Sequence, residues 1–156
     1  ALLDNYIDSD MNCLHHCIKH NWMEPLYLLD EYNVSFNLLT KIHGYTPLML
    51  ACRYGHYSIV QYLLFQDIYL EYENIIMDTA MSIAIENLQF ECVQLLLRNN
   101  VRIDEKSKTM LNYFANKLYI QYDELLSFLE QEFSKEIGPL DIEKMNTFLR
   151  IEYAIQ

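Results

Sequence analysis

The sequence predicts an all-α fold, a solenoid of stacked helix–turn–helix units, and three observations carry that prediction. Residues 44–64, Gly-Tyr-Thr-Pro-Leu-Met-Leu-Ala-Cys-Arg-Tyr-Gly-His-Tyr-Ser-Ile-Val-Gln-Tyr-Leu-Leu, read as a turn, a short helix, a break at Gly55 and a second helix folded back on the first. A shift of 33 residues forward lays Thr46 on Thr79, Ala51 on Ala84, Val60 on Val93 and Leu63 on Leu96, and a shift of 34 back lays Leu48 on Leu14, Val60 on Leu26 and Leu63 on Leu29. The segments that close each unit agree as well: Asn33-Val34-Ser35-Phe36-Asn37, Asp67-Ile68-Tyr69-Leu70-Glu71 and Asn100-Val101-Arg102-Ile103-Asp104. One helix pair cannot bury its own apolar stripe, so a register held through three copies requires neighbours that share one continuous core.

The elements follow in order. The first repeat, about 8–39, places its helices near Asn12–His20 and Met23–Glu31, with Pro25 in the first turn of the second, where a missing N–H costs little. The second repeat, about 40–73, has helices near Pro47–Tyr54 and Tyr57–Gln66, and the third, about 74–104, near Ala80–Asn87 and Phe90–Asn99. The fourth, 105–133, is degenerate: its second helix, about Tyr122–Phe133, carries Leu125, Leu126 and Leu129 at helical spacing. Gly138-Pro139 then interrupts, and an amphipathic helix from about Asp141, with Ile142, Met145, Leu149 and Tyr153 on one stripe, is expected to cap the stack within 134–156. The repeat domain is thus read as 1–133. The chain opens on Ala1 rather than Met, and Leu2-Leu3 fits the close of a preceding repeat, so a piece of something longer is expected.

The order G-x-T-P-L-x-x-A-x-x-x-G-H-x-x-I-V-x-x-L-L across 44–64 resembles the ankyrin repeat, a unit of about 33 residues. The resemblance is close over 8–104, weak over 105–133 and absent beyond. It implies projecting finger turns at 38–45 and 72–78. It also sets glycine at the end of each first helix, and only Gly55 keeps it. Asn21 is a tolerable substitute, whereas at Leu88 the neighbouring Asn87 is expected to take the left-handed angle instead. Asn33, Asp67 and Asn100 are expected to supply the same conformation where the family ends its units in G-A-x-V-N. In the fourth unit Thr109-Met110-Leu111-Asn112-Tyr113-Phe114 aligns with T-P-L-H-x-A after a turn about three residues shorter than the others.

Members of this family contact partners through the finger tips and the exposed face of each first helix. Carried over position by position, that strip contains Asp8, Ser9, Met11, Lys19 and His20 from the first repeat; Ile42, His43, Tyr45, Arg53 and Tyr54 from the second; and Ile75, Ile76, Asp78, Glu86 and Asn87 from the third. Lys108 and Asn116 extend it into the fourth. Met11, Ile42, Tyr45, Tyr54, Ile75 and Ile76 are large apolar or aromatic groups where the register leaves them exposed, which is the composition of an interface.

Composition narrows the partner. A formal charge of −11 opposes binding to nucleic acid or an anionic membrane surface, and it favours a protein or peptide that carries basic residues. From Asp123 onward acids outnumber bases eight to three, as a solvated terminal repeat requires. No run of apolar residues is long enough to span a membrane and no signal-peptide pattern occurs. Of the four cysteines, Cys17, Cys52 and Cys92 fall at packing positions and Cys13 replaces the proline of the second repeat, which suits reduced thiols and an intracellular setting, the cytoplasm ahead of the nucleus. The oligomeric state is not legible.

Cys13, His16, Cys17 and His20 lie four apart in pairs, the spacing of a helical metal site, yet the register sends Cys17 into the core, and the resemblance implies a bond from His15 to the turn and a structural hydrogen bond for His56. No metal, cofactor or catalytic residue is assigned: phosphate-cradling glycine motifs and nucleophile elbows are absent from the sequence, and paired carboxylates fall at helix ends and turns. The expected function is a non-catalytic protein-interaction module. Two alternatives stay open: a regulatory or targeting domain of a larger enzyme or channel, and a short inhibitor of a host signalling or transcription protein.

Overall fold

The computed structural model describes residues 10–130. Among these, eight helices alternate in pairs: α1 (Cys13–Lys19) with α2 (Met23–Glu31), α3 (Pro47–Tyr54) with α4 (Tyr57–Leu64), α5 (Ala80–Glu86) with α6 (Phe90–Arg98), and α7 (Glu105–Lys117) with α8 (Tyr122–Glu130). First helices pack in the row α1–α3–α5–α7, and second helices join α4 to α6 and α6 to α8. The shared core runs through both rows: Leu14, Leu48, Val60, Leu63, Ala84, Val93 and Leu96 are buried, each at a position the 33- or 34-residue register equates with another. Burying a leucine or valine fully contributes about 1.5–3 kcal/mol, and here that burial needs the neighbouring repeat.

Each first helix begins on the same local chemistry. Asn12, Thr46, Thr79 and Asp104 sit just ahead in extended conformation, and each side chain accepts the backbone N–H three residues on. In the first three the partner at that third position, His15, Met49 or Ser82, receives the cap residue's own N–H in return. His15 also reaches the Leu38 carbonyl (2.8 Å) where the first finger begins, and His56 reaches the Lys19 carbonyl (2.8 Å), which ties the second repeat to the first. The first helices end on a residue with positive φ, at Asn21 (60°), Gly55 (69°), Leu88 (57°) and Tyr119 (58°). Leu88 itself takes the left-handed angle, and Asn87 stays at −91°, contrary to the sequence expectation. The reason is packing: Leu88 is buried at 6% exposure, which offsets the backbone strain. Asn33 and Asn100 adopt positive φ as expected, but Asp67 does not, because α4 closes on Phe65 and Gln66 through its own last carbonyls.

The fourth unit departs from the alignment. Asp104 is the cap of α7, five residues ahead of Thr109, whose hydroxyl donates to the Glu105 carbonyl, so Thr109 lies inside the helix. The small-residue position belongs to Ala115, not Phe114: its carbonyl accepts the Ile120 N–H as that of Ala84 accepts the Gln89 N–H. The shortened finger has become an extra turn and a half of helix, which gives α7 13 residues against 7 in α5. The cap expected over 134–156, with its helix from Asp141, lies outside the described residues, as do Asp8, Ser9 and the end of the 122–133 helix.

Candidate functional site: the finger and first-helix face

Two turns project beside the first helices. In 38–45 the Thr40 N–H donates to the Tyr45 carbonyl (2.9 Å) and the Tyr45 N–H to the Thr40 hydroxyl (2.9 Å), and Gly44 turns the chain at φ 65°. In 72–78 the Asn74 N–H donates to the Asp78 carbonyl (3.0 Å), while its side-chain oxygen accepts from Ile76 and Asp78. Met77 occupies the Gly44 position at φ 63°, a left-handed residue that no glycine or asparagine announced. The turns are joined: Asn74 Nδ2 donates to the His43 carbonyl (3.1 Å).

The first turn is also tied backward to the first repeat. Asp10 accepts from the Ile42 and His43 N–H groups, and its second oxygen pairs with His43 Nδ1 at 2.7 Å. Burial alone would raise the Asp10 carboxyl; the His43 side chain and the two backbone donors outweigh it and hold the carboxyl below its ordinary value.

Between these turns and the helices lies a groove of about 460 Å³, lined by Tyr45, Arg53, Ile76, Asp78, Ile83, Glu86, Asn87 and Lys106. It brings together six of the residues expected on the strip. Arg53 stands over two rings, its guanidinium carbon 5.7 Å from the Tyr45 centroid and 5.9 Å from that of Tyr54. Ile76 is 57% exposed at the rim, with Ile42 (57%) and Ile75 (92%) on the finger tips beyond the groove lining. Met11, Lys19 and His20 lie on or beside α1, outside the groove; His20 is exposed and stacks on Trp22 at 4.8 Å.

Met11, Asp78, Tyr45 and Tyr54 differ from the exposed strip the register predicted, Met11 being half-buried against the core. Asp78 is buried, because Lys106 from the extended α7 bonds its carboxylate and that hydrogen bond raises the Lys106 ammonium. Tyr45 and Tyr54 are half-buried and pack against the core, while His43 stacks parallel on Tyr45 at 5.3 Å. Lys106 and Ile83 were missed altogether. Lys106 precedes the stretch that looked like the repeat motif, and Ile83 reads as ordinary core.

Charge is sorted between the two rows of helices. First helices carry Lys19, Arg53, Lys106, Lys108 and Lys117 against Glu86 and Glu105, a net of +3; second helices carry Arg98 against Glu24, Asp30, Glu31, Glu91, Asp123, Glu124 and Glu130, a net of −6. The second-helix side has apolar exposure of its own, at Tyr27, Leu28, Tyr32, Phe65 and Tyr69.

Cys17, Cys52 and Cys92 are buried and Cys13 is exposed. Burial pushes the Cys17 thiol up to about 11 and Cys92 to about 12, and raises Cys52 as well. Among the described residues no three His, Cys, Asp or Glu side chains converge as a metal-binding group, and no helix is long and apolar enough to cross a membrane.

Paired helices in register, with turns standing off one side, define a helical-repeat protein, a class that presents an extended face. Residues 1–74 match the family model described as Ankyrin repeats, in three copies. Residues 1–74 thus carry ankyrin repeats, and the all-helical stack continues through α8 in the manner of an ankyrin solenoid. A stretch of 39 residues is 46% identical to a fem-1 homologue of Drosophila melanogaster; it covers 25% of this chain and 6% of that protein's length. Ankyrin repeats are protein–protein interaction modules in general.

Proposed function

We propose that the chain is a non-catalytic docking module that holds a protein or peptide segment along the fingers and first helices. The observation that carries the reading is the groove, in which a ring-backed guanidinium, Glu86, Asn87 and the exposed Ile76 face one space. A half-open apolar and polar surface of this kind gains binding energy from a few anchors. An open trough between turns and helices offers no enclosed site for chemistry. The reduced state implied by three buried thiols supports an intracellular setting, the cytoplasm ahead of the nucleus. The match to a small fraction of a much longer relative supports a second reading, a targeting or regulatory unit within a larger protein.

Because Tyr45 and Tyr54 pack against the core, their removal would lower stability together with binding. Ile76→Asp and Arg53→Glu are cleaner probes, with Tyr32→Ala, 76% exposed on the second-helix side, as the control. In affinity capture from the native cell, the first two should lose the captured protein at unchanged thermal midpoint while the control retains it. Equal capture by all three would contradict the proposal.

A further inference from the structure

The total charge of the chain points to a basic partner, but the groove is not built like the rest of the surface. Arg53 and Glu86 sit at equivalent positions of neighbouring first helices, each two residues before the left-handed residue that ends the helix (Gly55 and Leu88). Both are exposed and both line the groove. Among the described residues neither is in a salt bridge, and they do not pair with each other; the Lys106 ammonium feels the Glu86 charge, but its direct bond is to Asp78. Arg53 is moreover held in place by the Tyr45 and Tyr54 rings, with Nη1 3.5 Å from the Tyr45 hydroxyl, so its fork is oriented before any ligand arrives.

We infer that the groove reads a charge pair: an extended peptide segment that sets a carboxylate against Arg53 and, about three residues away, a cationic side chain against Glu86. The spacing follows from geometry. Neighbouring helix axes stand about 8–10 Å apart, and an extended chain advances about 3.3 Å per residue, so a segment crossing from α3 to α5 meets the equivalent position after about three residues. Ile76 and Tyr45 offer the intervening residues an apolar surface. Opposite charges fix register and exclude wrong segments, and the carboxylate can take both arms of a pre-oriented guanidinium. This inference rests on the docking reading above and names the chemistry of its partner.

The test is selection from a random peptide library displayed on phage, panned against the full chain and against Arg53→Glu and Glu86→Lys. Both substituted side chains are exposed, and unchanged thermal midpoints establish that the variants fold; Arg53→Gln and Glu86→Gln replace any that do not. The wild type should enrich sequences with an acid and a base three positions apart. Glu86→Lys should enrich two acids at that spacing and Arg53→Glu two bases, and each should weaken the wild-type peptides at least about tenfold. With either glutamine variant, the preference should vanish at the matching position alone.

Enriched peptides without the charge pair, or variants that return the wild-type consensus, would overturn the inference. If those peptides are still lost on Ile76→Asp, the docking reading stands and only the charge readout falls. If no peptide is enriched, or the enriched ones survive Ile76→Asp, the docking reading fails and this inference with it. Displacement of the peptides by an oligothymidylate would also overturn it, since a polyanion has nothing to give Glu86.

Discussion

Replacing Leu88 and Tyr119 by glycine, one at a time, should move stability in opposite directions. Both residues end a first helix with φ near +57° to +58°, a conformation that costs an L-residue about 1–2 kcal/mol. Glycine removes that cost but adds about 0.5–1 kcal/mol of chain entropy to the unfolded state. For Tyr119, 93% exposed, little else is lost, so Tyr119→Gly should stabilise by about 0.5–1 kcal/mol. Leu88 is 6% exposed, and stripping its side chain forfeits about 3 kcal/mol of burial and packing, so Leu88→Gly should destabilise by about 2 kcal/mol. At about 2–4 °C per kcal/mol for a chain of this size, thermal denaturation followed by circular dichroism should show Tyr119→Gly up by about 2 °C and Leu88→Gly down by about 4–8 °C. A gain in Leu88→Gly, or a loss of more than about 1 kcal/mol in Tyr119→Gly, would refute the argument that burial holds the strained leucine in place.

The thiols and the Asp10 tether give two further expectations. In the native chain a thiol reagent should modify Cys13 promptly, with Cys17, Cys52 and Cys92 reacting only in denaturant; prompt modification of more than one would contradict the packing. Asp10 has its carboxyl held below its ordinary value of 3.8, so its stabilisation is complete above that pH and is lost as pH falls through the lower, folded value. The stability difference between wild type and Asp10→Asn should therefore be flat from neutral pH down to about pH 4 and shrink below it, and a difference that grows on acidification would be the wrong sign.

Much of this was legible because the repeat writes its geometry locally. Thr46-Pro47 and Thr79-Ala80 state where a first helix starts, and the boundaries of α2 and α3 coincide with those read from the sequence. What was hidden lay where packing overrides local preference. Leu88 takes an angle its residue type disfavours because its side chain is sealed in the core, and Met77 holds the Gly44 position on an exposed finger without such compensation. The fourth repeat was misaligned by one residue because Thr109 mimics a cap that Asp104 supplies earlier. That same early start delivers Lys106 to Asp78, which no motif announced, and it buries a carboxylate expected at the surface. The charge sum of −11 likewise concealed a division between rows of helices that only the pairing of elements reveals.

The most direct measurement is a titration of the isotope-labelled full chain with a library-selected peptide, followed through backbone amide shifts. Docking at the fingers and first helices predicts the largest changes at 42–54, 75–87 and Lys106. Changes concentrated instead on α2, α4 and the residues about Tyr27, Tyr32, Phe65 and Tyr69 would contradict it.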